Sequence, residues 1–230
     1  MFTGLSDSLA SNNWTPAGAP AIYRLLEALA DAENIDAHFI FACKDEAAGK
    51  QFARCHWLRC DRLGGRVEVL PYHKRKYLGP FNGVVRELYH LIRCLWRFSQ
   101  FRPDTAYCTN ANFIAASVFA SLRLCRTILR FMGLNDPEKQ LAQNKRSILR
   151  WLHTAPFDHV ICTQDGSGAE AYLPRLISKK TPVSIILNGV DAAPASPETV
   201  AKIRNRHGLG SRPVILFLGR LEQIKGCDEF

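Results

Sequence analysis

His159-Val-Ile-Cys-Thr163-Gln-Asp165-Gly166-Ser-Gly168-Ala-Glu-Ala171 runs from a short apolar, β-branched segment, through two glycines, into residues that suit a helix. Such a junction reads as a strand that turns tightly into the helix after it. The same alternation extends in both directions. Upstream, Thr105–Thr109 and Thr127–Phe131 read as strands, and so does Val183–Leu187 downstream. Further back, Ala37–Cys43 and Val67–Pro71 are strands, and a short strand is expected near Met1 to Leu5, ahead of a Ser/Asn/Pro/Gly loop that runs through Gly18. Helices are expected over about Ala19–Ala32, where Ile22, Leu25, Leu26 and Leu29 form a stripe, and over Glu46–Leu58, Val84–Phe98 and Pro137–Leu152. Short strands alternating with longer helices predict an α/β fold, a Rossmann-like parallel sheet with helices on both faces.

In the segment Val84–Phe98, Val84, Leu88, Leu91 and Leu95, with Val85, Ile92 and Trp96, fall on one helical face, and Arg86, Arg93 and Arg97 fall on the other. The expectation is that the apolar stripe packs on the sheet. The alternative is a basic amphipathic helix lying on an anionic membrane.

The composition is that of a globular protein, and the formal charge of +9 favours an anionic partner. The eight cysteines are scattered, several within apolar runs, and read as small core residues of a reducing compartment. Cys55-His56-x-x-x-Cys60 lacks the second ligand pair of a structural zinc site and reads as one face of a surface helix, so no metal is expected. The start lacks a secretory pattern, and the longest apolar run, Phe113 to Ala120, is far short of a membrane span. A cytoplasmic protein is expected, with peripheral contact at the inner face of a membrane as a further option.

After Asp191 comes the Pro/Ala-rich run Ala-Ala-Pro-Ala-Ser-Pro, then a polar helix from about Pro197 to His207 and an apolar strand, Val214–Leu218. This places a boundary after residues 1–191, a linker and helix at 192–211, and the truncated start of a second domain at 212–230. That last segment reads Val-Ile-Leu-Phe-Leu-Gly219-Arg220-Leu-Glu-Gln-Ile-Lys225-Gly226. A strand ending at a glycine, followed by a guanidinium and an ammonium, suits a diphosphate. On spacing alone, a solvated loop is an equally good reading. Asn188-Gly189, at the end of the preceding strand, reads as a sharp exit from the sheet and a hinge between domains.

Taken together, Leu187-Asn188-Gly189-Val190-Asp191 and the later Val-Ile-Leu-Phe-Leu-Gly-Arg-Leu-Glu-x-x-Lys-Gly resemble the domain junction of family 4 glycosyltransferases, which have the two-domain GT-B fold. The resemblance implies an acceptor-binding N-terminal domain of two facing Rossmann-like domains, and transfer of a sugar from a nucleoside-diphosphate donor with retention of configuration, without a cofactor or a bound metal. The acceptor, a glycan, a lipid or a small molecule, is not specified. It further implies that Gly219, Arg220 and Lys225 contact the donor diphosphate, with Gly18 of the N-terminal loop beside it. Gly18 also reads as an ordinary loop glycine. Where the family often has histidine before glycine near the reacting sugar, this chain has Met132-Gly133, and methionine neither donates a hydrogen bond nor shuttles a proton. The family's glutamate pair is expected beyond Phe230, so the chain by itself is expected to be inactive.

Two other classes compete. Gly166-Ser-Gly168-x-x-Ala171 matches a dinucleotide-binding turn, as in an oxidoreductase, but the acidic residue expected about 20 positions on is replaced by Ile185-Ile186-Leu187. Arg123, Arg126, Arg130, Lys139, Lys145, Arg146 and Arg150 suggest a basic nucleic-acid surface, yet they are dispersed without interleaved aromatics and read as a solvated face. Nucleic acid is therefore not expected as a partner. Hydrolase motifs are missing, and His38, His73, His90 and His159 read as surface or satisfied core residues.

Overall fold

The computed structural model describes residues 3–15, 20–44, 46–54, 56–72, 79, 81–134, 141, 148–164, 168–187 and 194–216. It divides into two compact units, Met1–Val190 and Asp191–Phe230. In the first unit the elements run α1 (Thr3–Ala10), α2 (Pro20–Asp31), β1 (Phe39–Ala42), α3 (Glu46–Gln51), β2 (His56–Cys60), β3 (Gly65–Leu70), α4 (Asn82–Phe101), β4 (Thr105–Thr109), α5 (Phe113–Leu122), β5 (Arg126–Phe131), α6 (Ile148–Thr154), β6 (His159–Thr163), α7 (Ala169–Leu176) and β7 (Val183–Ile186).

The expected α/β architecture is present, but its strands form two sheets. One has the order β1-β3-β2, with β1 parallel and β2 antiparallel to β3; the other, β4-β5-β6-β7, is parallel throughout. In the second sheet, period-2 alternation sends Leu129, Phe131, Val160 and Cys162 to one face, where they meet Ala116, Ala120, Ala169 and Leu173 from α5 and α7. Consecutive parallel strands added in one direction by right-handed crossovers place their helices on one side, and α5, α6 and α7 touch in succession.

Two local expectations are corrected. Met1 to Leu5 is not a strand: Thr3–Ala10 is helical, and Leu5 and Leu9, one turn apart, are buried against Ile22, Tyr23 and Leu26 of α2. The helix expected over Glu46–Leu58 stops at Gln51, and His56–Cys60 is an edge strand, so His56 and Cys60 do not share a helix face; Cys55 lies outside the described residues. The overlooked signal is Gly64-Gly65, a hairpin junction in which both residues have positive φ, of 75° and 128°.

The largest correction concerns α4, most of whose apolar stripe does not pack on the sheet: only Leu91 and Leu95 of it are part-buried. Val84, Leu88, Ile92 and Trp96 are 66%, 54%, 56% and 44% exposed, whereas Arg97 is buried. The cause lies in β3. Its Val67 and Val69 side chains join the core formed with α1 and α2, so Glu68 between them points to the opposite face, where it is fully buried. An unpaired buried carboxylate is expensive. Arg93 Nη2 donates to Glu68 Oε1 at 2.6 Å, and Arg97 Nε donates to Oε2 at 2.5 Å. The helix thus turns its arginine edge inward. The Arg97 guanidinium is further held between the rings of Trp57 and Trp96, at 4.5 and 4.3 Å.

Six described cysteines are thiols, in no disulfide. Cys43 and Cys162 are fully buried, and burial pushes the thiols of Cys94 and Cys108 up to about 11 and about 12.

In the second unit, Pro197–Arg206 forms α8. Ser196 caps it by accepting from the Thr199 amide at 3.2 Å, Pro197 occupies the first turn, and Arg204 and Arg206 sit in the last. The strand expected at Val214–Leu218 is not formed over its described part: Val214, Ile215 and Leu216 are exposed and unpaired with any described strand. An apolar strand needs neighbours to accept its backbone groups and cover its side chains.

Replacing Glu68 with alanine takes the carboxylate from the buried Arg97 and the part-buried Arg93, and a loss of about 3–5 kcal/mol is expected. Glu68→Gln, which keeps an acceptor, costs less. Urea midpoints of the two variants against the parent test the ordering; equal midpoints for all three would show that the ion cluster contributes nothing.

Candidate functional site

Parallel strands bring their carboxyl ends to one edge of a sheet, and in α/β proteins ligands bind there. In the four-stranded sheet, Tyr107 of β4, Arg130 of β5 and Thr163 of β6 share the face opposite the α5–α7 core. Their register places Thr109 beside Arg130, and Arg130 beside Ile161. Arg130 Nη1 donates to Tyr107 Oη at 3.4 Å and Nη2 to Thr163 Oγ1 at 3.3 Å. Arg130 is buried, which corrects its assignment to a solvated basic face; Arg123, Arg126 and Arg150 are exposed as expected. The signal for its burial was its place in a strand, between Leu129 and Phe131. Burial raises the Tyr107 phenol above its ordinary value, and the Arg130 hydrogen bond opposes that shift.

Met132 and Gly133 follow β5 directly. Met132 is partly buried and packs against the core of α1, α2, β1 and β3, and Gly133 has a φ of 106° that favours glycine. A thioether in that position fills space between the core clusters of the two sheets. Gly168 caps the start of α7 at φ 74°, where a side chain would also meet the Tyr172 ring at 3.3 Å. The turn geometry alone accounts for this glycine. Gly18, Asn188, Gly189, Gly219, Arg220 and Lys225 lie outside the described residues, as do Asp165 and Gly166.

A second polar group lies at the carboxyl ends of β1 and β3. Lys44 pairs with Glu87 of α4, Arg86 donates to the Lys44 carbonyl at 3.4 Å and lies over the Tyr72 ring, and His90 contacts the Pro71 carbonyl at 2.8 Å. Burial lowers the Lys44 ammonium despite the Glu87 hydrogen bond. Because a carbonyl only accepts, His90 Nε2 carries the hydrogen, and Nδ1 is buried without a hydrogen-bond partner. Desolvation holds this imidazole at about 4, well below its ordinary value.

Of the other histidines singled out in the sequence, two have partners and one lies outside the described residues. His38 stacks on Phe101 at 4.1 Å, His159 contacts Ser184 Oγ at 2.9 Å, and His73 is not among the described residues. Among the described residues no cluster of His, Cys, Asp and Glu is arranged to hold a metal. A concavity lined by Trp57, Leu58, Arg59, Asp61, Gly64 and Gly65 opens at the amino end of β3, away from both polar groups.

The class defined by this architecture is an α/β protein with a parallel four-stranded sheet flanked by helices, compatible with a Rossmann-like arrangement. Set against protein families, curated proteins and solved structures, the chain matches none.

The neutral, buried His90 gives a pH prediction. Its folded value of about 4 lies below the ordinary 6.5, so the unfolded chain binds the extra proton first as pH falls. Its contribution, about 3 kcal/mol, is complete above pH 6.5 and is lost between there and pH 4. Urea unfolding across this range measures it. His90→Gln should flatten the slope, and an unchanged slope would exclude His90 as its source.

Proposed function

We propose that the chain is the acceptor-side part of a retaining glycosyltransferase that takes its sugar from a nucleoside-diphosphate donor. The observation that carries the reading is the junction sequence, Leu187 to Asp191 followed by Val214 to Gly226, set directly after four strands that form a parallel sheet. In this reading Arg220 and Lys225 meet the negative charge that develops on the departing diphosphate, and Gly219 lets the phosphate oxygens approach the backbone. The acceptor lies at the carboxyl ends of β4, β5 and β6, where Arg130, Tyr107 and Thr163 offer a guanidinium and two hydroxyls. Met132 shapes that region by packing and takes no part in proton transfer.

The test is binding of UDP, GDP and ADP, with NAD and a single-stranded oligonucleotide as competitors, monitored by ligand-observed NMR. One diphosphate should bind at millimolar strength or better and weaken at least about tenfold in Arg220→Ala/Lys225→Ala. Binding of NAD in preference to every nucleoside diphosphate would sink the reading in favour of an oxidoreductase. Strongly salt-dependent oligonucleotide binding without diphosphate binding would sink it in favour of a nucleic-acid module.

A further inference from the structure

We infer that the outward face of α4 is a docking surface for an anionic lipid bilayer. This goes beyond the transferase reading and does not depend on it. Phe81, Val84, Leu88, Ile92 and Trp96 succeed one another at three- and four-residue steps and form one stripe along a helix of 20 residues. Phe81, at the head of the stripe, is 66% exposed. Trp57 of β2 extends it at the far end, joined to Trp96 through the guanidinium of Arg97.

This stripe is held outward. For the helix to roll its apolar face onto the sheet, Arg93 and Arg97 would have to leave Glu68, which is fully buried. Lys44–Glu87 and His90–Pro71 tie the first half of the helix in the same orientation. Exposure of the stripe is therefore part of the folded structure, and a continuous apolar face of this length marks an interaction site.

Charge identifies the occupant. From Phe81 to Arg102 the sequence carries four arginines and a single acid, Glu87; Arg93 and Arg97 are spent on Glu68 and Lys44 on Glu87, yet with these partners counted the cations of the patch still outnumber its acids. The residues leading into the helix include Lys74-Arg75-Lys76, and the whole chain has a net charge of +9. Two copies meeting through this face would bring like charges together. A surface of anionic headgroups complements them, with the apolar side chains entering the acyl boundary and the tryptophans at headgroup level. No described helix is long and apolar enough to cross a membrane, so the geometry is that of a helix lying in the interface.

The experiment is co-sedimentation of the 230-residue chain with vesicles of phosphatidylcholine alone and of phosphatidylcholine containing about one-third phosphatidylglycerol. Binding is expected to the mixed vesicles only, to weaken on raising the salt, and to fall at least about tenfold in Leu88→Glu/Ile92→Glu. Both substitutions fall on exposed positions, and circular dichroism checks that the fold is kept. Three results would overturn the inference: no binding to either vesicle, equal binding to both, or a double variant that binds as well as the parent. A parent dimer that Leu88→Glu/Ile92→Glu converts to monomer, without vesicle binding, would assign the face to a second copy and overturn it too. Diphosphate binding by the double variant, measured alongside, separates this outcome from failure of the transferase reading.

Discussion

One carboxylate governs the first half of the molecule. Glu68 occupies the middle of β3 between two core valines, and the pleat sends it to the face that α4 must cover. A charge in that position demands compensation worth about 3–5 kcal/mol. The helix therefore presents arginines to the sheet, and a polar layer forms between them: Arg93 and Arg97 on Glu68, Glu87 on Lys44, Arg86 on Tyr72, His90 on Pro71. Leu88 and Ile92 on the far side are left to water because the ion cluster claimed the near side.

The second half obeys a simpler rule. Its sheet has one apolar face, welded to α5 and α7, and a second face on which Tyr107, Arg130 and Thr163 converge at the strand ends. Met132 spans from β5 to the core of the other sheet, so the carboxyl end of β5 is fixed from both sides. Arg130 is buried there, and its donation to both hydroxyls restricts the freedom of its planar guanidinium. The proposed acceptor position draws on that rigidity.

Sequence patterns revealed the second sheet far better than the first. Thr105–Thr109 at the edge of the sheet and His159–Thr163 within it begin and end as their sequence predicts, since parallel strands are short, largely apolar segments bounded by turn residues. Around β3 the same logic failed. Amphipathicity separated the two faces of α4 correctly but carried no information on which one meets the sheet, because that was decided by an acid in another element. In β2, the period-2 run of Trp57 and Arg59 was obscured by the helix-forming residues before it, and Gly64-Gly65 was the cue that resolves it. Leu5 and Leu9 lie too near the chain start for a repeat to show. Arg130 was legible as a strand residue but not as a buried donor, since its partners come from strands more than twenty residues away on either side.

The cysteines tie these observations to a kinetic property of the chain. The thiolate is the form that reacts with alkylating reagents, and at Cys94 and Cys108 the native environment keeps it scarce, with values of about 11 and about 12. Cys94 rides on α4 and Cys108 on β4. Both residues are only partly covered, so alkylation of the native chain is slowed by the scarcity of thiolate, and opening of the arginine-tethered helix or of the parallel sheet speeds it at one sulfur or the other.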